Sequence, residues 1–175
     1  MKLDIKIEGK EKLIAALNEK LYSKIINRTI NEIGRKINTQ MSKDVRKIFN
    51  IKAGDLKKYI KIKRSNYSKL QYSIDINSGV RNIKHFGARV LKSRGKVSVR
   101  IKKNKGRSII IPAFKAKNSD AILRRVEGTQ EIKAVHTLSV PQMFNQEILD
   151  RAEKLNEREF SKTFDRNFNY YIGKK

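Results

Sequence analysis

A cluster of eight basic side chains between residues 92 and 107 is the feature of this sequence best suited to binding a partner. No acidic residue interrupts the cluster, and apolar Val97, Val99 and Ile101 alternate with its central members. In a strand, this alternation turns the bases toward solvent together while the apolar residues face the core. The sequence therefore predicts an electropositive hairpin that suits DNA phosphates or another polyanion. Its basic members are Lys92, Arg94, Lys96, Arg100, Lys102, Lys103, Lys105 and Arg107.

Catalytic chemistry has little support in the same sequence. The chain has two histidines and no cysteine, which excludes thiol nucleophiles, thiolate zinc sites and iron–sulfur clusters. His136 lies near Ser139, but no nucleophile elbow, zinc-protease motif or phosphate-cradling glycine loop accompanies the pair. A metal-dependent nuclease would need carboxylates to bind a divalent metal. Three acids are candidates, but their spacing does not match a metal-binding motif, namely Asp75, Asp120 and Glu127. We predict no enzyme, no cofactor and no metal site.

The charge of the chain predicts a negative partner. It has 42 Lys and Arg against 17 Asp and Glu, a net charge of +25 over 175 residues, which adds self-repulsion to folding. Between residues 56 and 118, Asp75 is the only acid among 19 bases. Nucleic acid, an anionic membrane surface and an acidic protein all fit this field. The longest uncharged run, 13 residues, falls short of the ~20 needed to cross a bilayer, so we expect a soluble intracellular protein without a membrane partner.

The elements that would position the bases indicate an α+β fold in a single domain over residues 1–175. Alternation predicts a strand over residues 1–9, and a period near 3.7 predicts helix within residues 10–60. A helix this long would break near Asn27 or Gly34, or pack against something outside its own chain. Residues 61–138 read as a central antiparallel sheet that includes the basic hairpin, and residues 139–175 as a proline-containing loop and a C-terminal helix.

Two local patterns leave alternatives open. A helix-turn-helix over residues 45–64 is disfavoured, because its second helix would be short and would pass directly into a strand pattern. The proline-containing loop is either a buried cap on the core or a docking segment for a partner protein, since Met and Phe make adaptable anchors. The candidate docking residues are Val140, Pro141, Met143 and Phe144.

Three blocks of the sequence resemble one family. Residues 139–144, Ser-Val-Pro-Gln-Met-Phe, follow residues 132–136 and resemble the signature near the end of the prophage minor tail protein Z family, the tail completion proteins of long-tailed phages. Residues 26–64 resemble the helical front half of that family. The third block comprises residues 86–89, 97–100 and 113–114. The blocks keep the family's order, although Thr137 and Leu138 stand where Gly-Pro is usual.

The resemblance implies a structural protein at the head-proximal end of a tail, needed for joining tails to heads. The implied partners are copies of the chain in a ring, six being the expected number, other tail or neck proteins, and double-stranded DNA in the channel. The implied location is the host cytoplasm during assembly and the tail or neck of the mature virion. The alternative from another class is a free DNA- or RNA-binding module without a virion role.

Overall fold

The computed structural model describes residues 2–4, 19–93 and 95–173, and their contacts separate into two compact units. The first unit takes Met1–Met41, Ile60–Ile76 and Gln146–Lys175. The second unit takes Ser42–Tyr59 and Asn77–Asn145. The expected α+β class is confirmed. The prediction of a single domain stays a prediction, and the two units are described separately.

The helices and strands follow in chain order. The helices are α1 (Glu19–Ile48), α2 (Ala53–Lys57), α3 (Val140–Met143) and α4 (Gln146–Ile172), and a 3-10 turn spans Ile83–Phe86. The first strands are β1 (Lys2–Asp4), β2 (Ile60–Lys63), β3 (Ser73–Ile76), β4 (Val80–Asn82) and β5 (Arg89–Val90). The later strands are β6 (Val97–Val99), β7 (Ser108–Ile110), β8 (Phe114–Lys115), β9 (Ile122–Arg125), β10 (Ile132–Ala134) and β11 (His136–Ser139).

The first unit packs α4 against the front of α1 beside a three-stranded sheet in the order β1-β3-β2. A buried polar pair joins the two helices, since the Asn167 side-chain amide donates to Thr29 Oγ1 at 3.1 Å. An ion pair joins them at the surface, where Lys36 Nζ lies 3.2 Å from Glu159 Oε2. The apolar residues that recur along α1 are buried and form most of the core of this unit.

Gly34 brings α1 close to the segment that leads into β3. A Cβ at this position would lie 2.4 Å from Cγ of Tyr72, whose ring is buried. The helix runs without interruption for 30 residues, so it does not break at Asn27 or at Gly34. The glycine makes room for an aromatic ring instead. The predicted helix over residues 10–18 and the strand prediction beyond Asp4 lie outside the described residues.

The second unit holds the end of α1, α2 and most of the strands. Within the described residues, the strands of the chain form four small antiparallel sheets rather than one central sheet. Three of these belong to the second unit, in the orders β5-β6-β7, β10-β9-β8 and β11-β4. The helix after Asn50 has only five residues and β2 follows shortly after it, which leaves no recognition helix. These sheets and turns carry the basic side chains.

Candidate polyanion-binding surface

The predicted basic hairpin forms. Strand β6 pairs with β7 in antiparallel register, with Val97 opposite Ile110 and Val99 opposite Ser108. Val97 and Val99 are buried as expected, whereas Ile101 is half-buried and Ser98 is buried too, because β6 is the central strand of its sheet. Among the bases, Lys96 is half-buried, Arg94 lies outside the described residues, and the other six are exposed.

Two exposed arginines of the hairpin use their guanidinium groups to hold backbone. Arg100 donates to the carbonyl of Lys105 at 3.0 Å and to that of Lys103. Arg107 donates to Ser98 Oγ at 2.7 Å, to the Ser98 carbonyl at 2.8 Å and to the Gly87 carbonyl at 2.8 Å. These bonds occupy much of the donor capacity that a phosphate would need. Lys102, Lys103 and Lys105 are therefore the accessible cations of the loop.

Backbone contacts fix where this loop starts. The amide of Asn50 donates to the Ile101 carbonyl at 2.8 Å, and the amide of Lys103 donates to the Ile48 carbonyl at 2.8 Å. The Lys102 ammonium lies 5.8 Å from the centre of the Phe49 ring. The start of the lysine-bearing loop is thus joined to the end of α1 within the second unit.

The candidate docking segment lies inside the second unit. Val140, Met143 and Phe144 are buried, and Pro141 is half-buried at the start of α3. Ser139 and Gln142 form a capping box, in which the Ser139 amide donates to Gln142 Oε1 at 2.8 Å. This placement matches the other interpretation of the segment, a loop that covers the core. Ser139 is half-buried and its hydroxyl bonds Gln142, whereas His136 is exposed on β11.

Asn82 holds the short 3-10 turn that follows β4. Its side-chain oxygen accepts from the amides of Lys84 at 3.1 Å and Ile122 at 3.0 Å, while its nitrogen donates to the Ile122 carbonyl at 2.9 Å. At the other end of the turn, the side-chain nitrogen Nδ2 of Asn50 donates to the Phe86 carbonyl at 3.0 Å. Apart from the bond to Lys84 two residues on, these bonds join partners 36 to 40 residues apart, which a local pattern does not reveal.

His85 on this turn is bonded on both sides of its ring. Arg81 Nη2 lies 2.9 Å from Nε2, and Asp55 Oδ2 lies 3.3 Å from Nδ1. A guanidinium can only donate, so Nε2 accepts and Nδ1 carries the ring proton toward Asp55. Neither ring nitrogen is left as a base for a substrate. Burial alone would raise the pKa of Asp55, but the bond from His85 and the charges of Lys58 and Lys52 hold that pKa below its ordinary value.

These groups border an open cleft of about 820 Å³ that lies wholly within the second unit. We call it the lysine cleft, because five of its lining residues are lysines, namely Lys52, Lys58, Lys84, Lys103 and Lys115. Asp55 and Asp120 are its only acidic lining residues within the described part of the chain. Lys103 belongs both to the cleft and to the hairpin loop, so the two cationic features meet at that residue.

The second unit concentrates the positive charge of the chain. Its residues include 22 Lys and Arg against 5 Asp and Glu, a net charge of +17, whereas the first unit has 20 against 12, a net of +8. Most of the second unit's described bases are exposed. Its surface therefore provides a field that favours polyanions.

The acids considered as metal ligands have cationic partners or exposed positions. Asp120 lies 2.6 Å from the Lys115 ammonium, Asp75 lies 3.5 Å from that of Lys63, and Glu127 is exposed in a loop. Among the described residues, no three His, Asp or Glu side chains gather as a metal site would require. In the same part of the chain, each helix is too short or too polar to cross a bilayer.

No protein-family model, curated protein or solved structure matches this chain.

Proposed function

We propose that this chain is a structural protein of a phage or prophage-derived tail, a tail completion or neck component at the head-proximal end that is needed for joining tails to heads. The three ordered sequence blocks described above support the tail role. The observation that carries the proposal is the net charge of +17 on the second unit. Part of this charge lies on exposed lysines of the hairpin loop and of the lysine cleft. Such a surface suits a protein that stands beside DNA as it passes.

The tail role includes assembly into a ring, and the charge of the chain sets a condition on that assembly. In a closed ring every copy presents the same surface, so six copies would repeat this positive field six times around one axis. Like charges at that density repel unless packaged DNA or acidic neighbours neutralise them. The proposed working state is therefore a ring in the tail or neck, assembled in the host cytoplasm, in which contacts with its neighbours and with DNA replace free solvent.

Electron microscopy of particles made without this protein tests the proposal. We expect unjoined heads together with tails that are abnormal at their head-proximal end, because the component that makes tails competent for joining is missing. Supplying the protein from a plasmid should restore joined particles. Normal joined particles in its absence would overturn the tail role.

The role of the hairpin charges is tested by replacing Lys96, Lys102 and Lys105 with Gln while leaving Arg100 and Arg107, which hold backbone, in place. We expect complementation by this variant to yield at least tenfold fewer infectious particles, with soluble protein at the wild-type level, since Lys102 and Lys105 are exposed and glutamine can replace the stem of half-buried Lys96. The matched control replaces exposed Lys57, Lys154 and Lys162 with Gln. Equal loss in both variants would mean that total charge, and not the hairpin, matters.

A free nucleic-acid-binding module is the second candidate, and the charge concentrated in the second unit favours it. This candidate requires tight, strongly salt-dependent binding of DNA or RNA by the isolated chain and no effect on head–tail joining. The tail role instead requires the joining defect whatever the affinity of the isolated chain. The two assays together separate the candidates.

A further inference from the structure

We propose that the lysine cleft of the second unit is a binding site for the phosphate backbone of nucleic acid. The inference rests on the polyanion contact that both candidate functions share, and not on a place in a tail. It adds residues outside the basic hairpin to the contact surface, principally Lys52 and Lys84, with Lys103 as the link between them and the hairpin loop.

The cleft holds positive charge that the protein itself does not neutralise. Asp55 is shared by His85 at 3.3 Å and Lys58 at 3.7 Å, and Asp120 is taken by Lys115 at 2.6 Å. No carboxylate of a described residue lies within ion-pair distance of the remaining three ammonium groups, those of Lys52, Lys84 and Lys103. An anionic ligand would supply the missing partners and relieve their mutual repulsion.

The backbone beneath these three lysines is fixed, whereas their side chains are exposed. Lys84 lies on the turn capped by Asn82, and the amide of Lys103 is bonded to the Ile48 carbonyl at 2.8 Å. Lys52 immediately precedes α2, where the amide of Leu56 donates to its carbonyl at 3.1 Å. Flexible ammonium groups on fixed backbone act as point charges that tolerate variation in phosphate position. Such point charges suit contact with the phosphate backbone of nucleic acid, which is the same whatever the base sequence.

The shape and lining of the cleft favour a nucleic-acid backbone over other anions. A volume of about 820 Å³ exceeds the needs of a single phosphate, and the cations continue past Lys103 along the hairpin loop. No Phe, Tyr or Trp is among its described lining residues, and the ring of His85 is held between Arg81 and Asp55, so stacking of bases is not expected. Ile51 and Ile122 are buried, so Val90 is the one large apolar side chain exposed among the described lining residues, which is a small anchor for the side chains of an acidic peptide.

Binding of the purified full-length chain to a fluorescent DNA duplex of about 20 base pairs, followed by anisotropy at several salt concentrations, tests the site. The cleft variant replaces Lys52, Lys84 and Lys103 with Gln. We expect weaker binding and a weaker dependence on salt. The negative slope of log K against log salt should become shallower by about three, because each lost phosphate contact reduces its magnitude by about one. The variant with Arg at the same three positions should bind like the wild type.

The matched control replaces Lys43, Lys57 and Lys117 with Gln, which removes the same charge from exposed second-unit residues that do not line the cleft. We expect its slope to change by less than about one. An equal change in both variants would overturn the site, since the charge would then act diffusely. Poly-glutamate that binds the wild type as tightly as the duplex, with the same loss in the cleft variant, would also overturn it in favour of an acidic protein partner. The head–tail joining assay is separate: normal joining in particles that lack the protein would refute the tail role, and lost DNA binding by the cleft variant would still leave the site standing.

Discussion

At the scale of single residues, a few polar side chains with distant partners position the lysine cleft. Asn82 bonds the 3-10 turn and the start of β9, Asn50 bonds the end of that turn, and Arg107 bonds the Gly87 carbonyl that follows it. None of them is a cleft cation, yet Lys84 depends on the turn that they hold. Replacing these residues should therefore lower the free energy of unfolding, and weaken anion binding only as a consequence.

Replacement of Asn82 with Ala is expected to lower the free energy of unfolding by about 2–3 kcal/mol. The variant loses a cap on the turn and leaves the Ile122 amide without its acceptor, whereas the Ile122 carbonyl keeps the bond from the Val135 amide at 2.9 Å. Urea denaturation followed by circular dichroism measures the change. Asn104 is exposed in the hairpin loop, and its replacement with Ala should change stability by less than about 0.5 kcal/mol. A loss for Asn82→Ala no larger than that of this control would refute the positioning role.

Sequence alternation predicted the residue-level pattern of the hairpin in part. It correctly buried Val97 and Val99 and exposed the loop lysines. It did not separate Arg100 and Arg107 from the lysines, because a guanidinium turns to backbone only where the loop path brings carbonyls within reach. The bonds between Asn82 and Ile122 escaped prediction for the same reason, since the two residues are 40 positions apart in sequence.

At the scale of elements, the helical period of the sequence correctly predicted α1 and α4, whereas Gly34 does not break α1. The sequence left open a break near Asn27 or Gly34, or packing against something outside the chain; the helix continues through both residues, and Gly34 allows the close approach of Tyr72. Strand patterns found β3 and the β6–β7 hairpin. They could not say which strands pair across long intervals, so the division into several small sheets was missed.

Replacement of Gly34 with Ala is expected to destabilise the protein by about 1 kcal/mol. Its Cβ would overlap the buried Tyr72 ring, and overpacking costs about 1–3 kcal/mol, which outweighs the gain of about 1 kcal/mol that alanine brings to a helix. Thermal and urea unfolding measure the difference. Gly54 in α2 has open space around it, so Gly54→Ala should be neutral or stabilising. A stabilised Gly34→Ala would show that the ring moves aside easily.

At the scale of the whole molecule, charge is distributed unevenly between the two units. The second unit has a net charge of +17 and the first +8, so repulsion between like charges is greatest where the cleft and hairpin lie. The total net charge could be read from the composition of the sequence. The location of the unneutralised lysines required the folded positions of Asp55 and Asp120, which local pattern does not give.

The unfolding temperature is expected to rise when NaCl is raised from about 0.01 M to about 0.15 M. Over this range the screening length falls from about 30 Å to about 8 Å, which weakens repulsion among the excess cations. A gain of about 1 kcal/mol corresponds to about 2–4 °C in a chain of this length. Scanning calorimetry measures the rise. The Lys43, Lys57 and Lys117 to Gln variant should show a smaller rise, and a fall with salt would mean that attractive ion pairs dominate.

The close approach at Gly87 bears on how this protein can diverge in evolution. Gly87 has a φ of 66°, and a Cβ there would lie 2.8 Å from the Asn50 side-chain nitrogen. Two properties therefore favour glycine at position 87: the backbone is in the left-handed region, and a side chain would lack space. A descendant of this chain that gains a side chain at position 87 must keep the left-handed backbone and move the Asn50 side-chain nitrogen aside, so a change at position 87 should favour a later change at position 50.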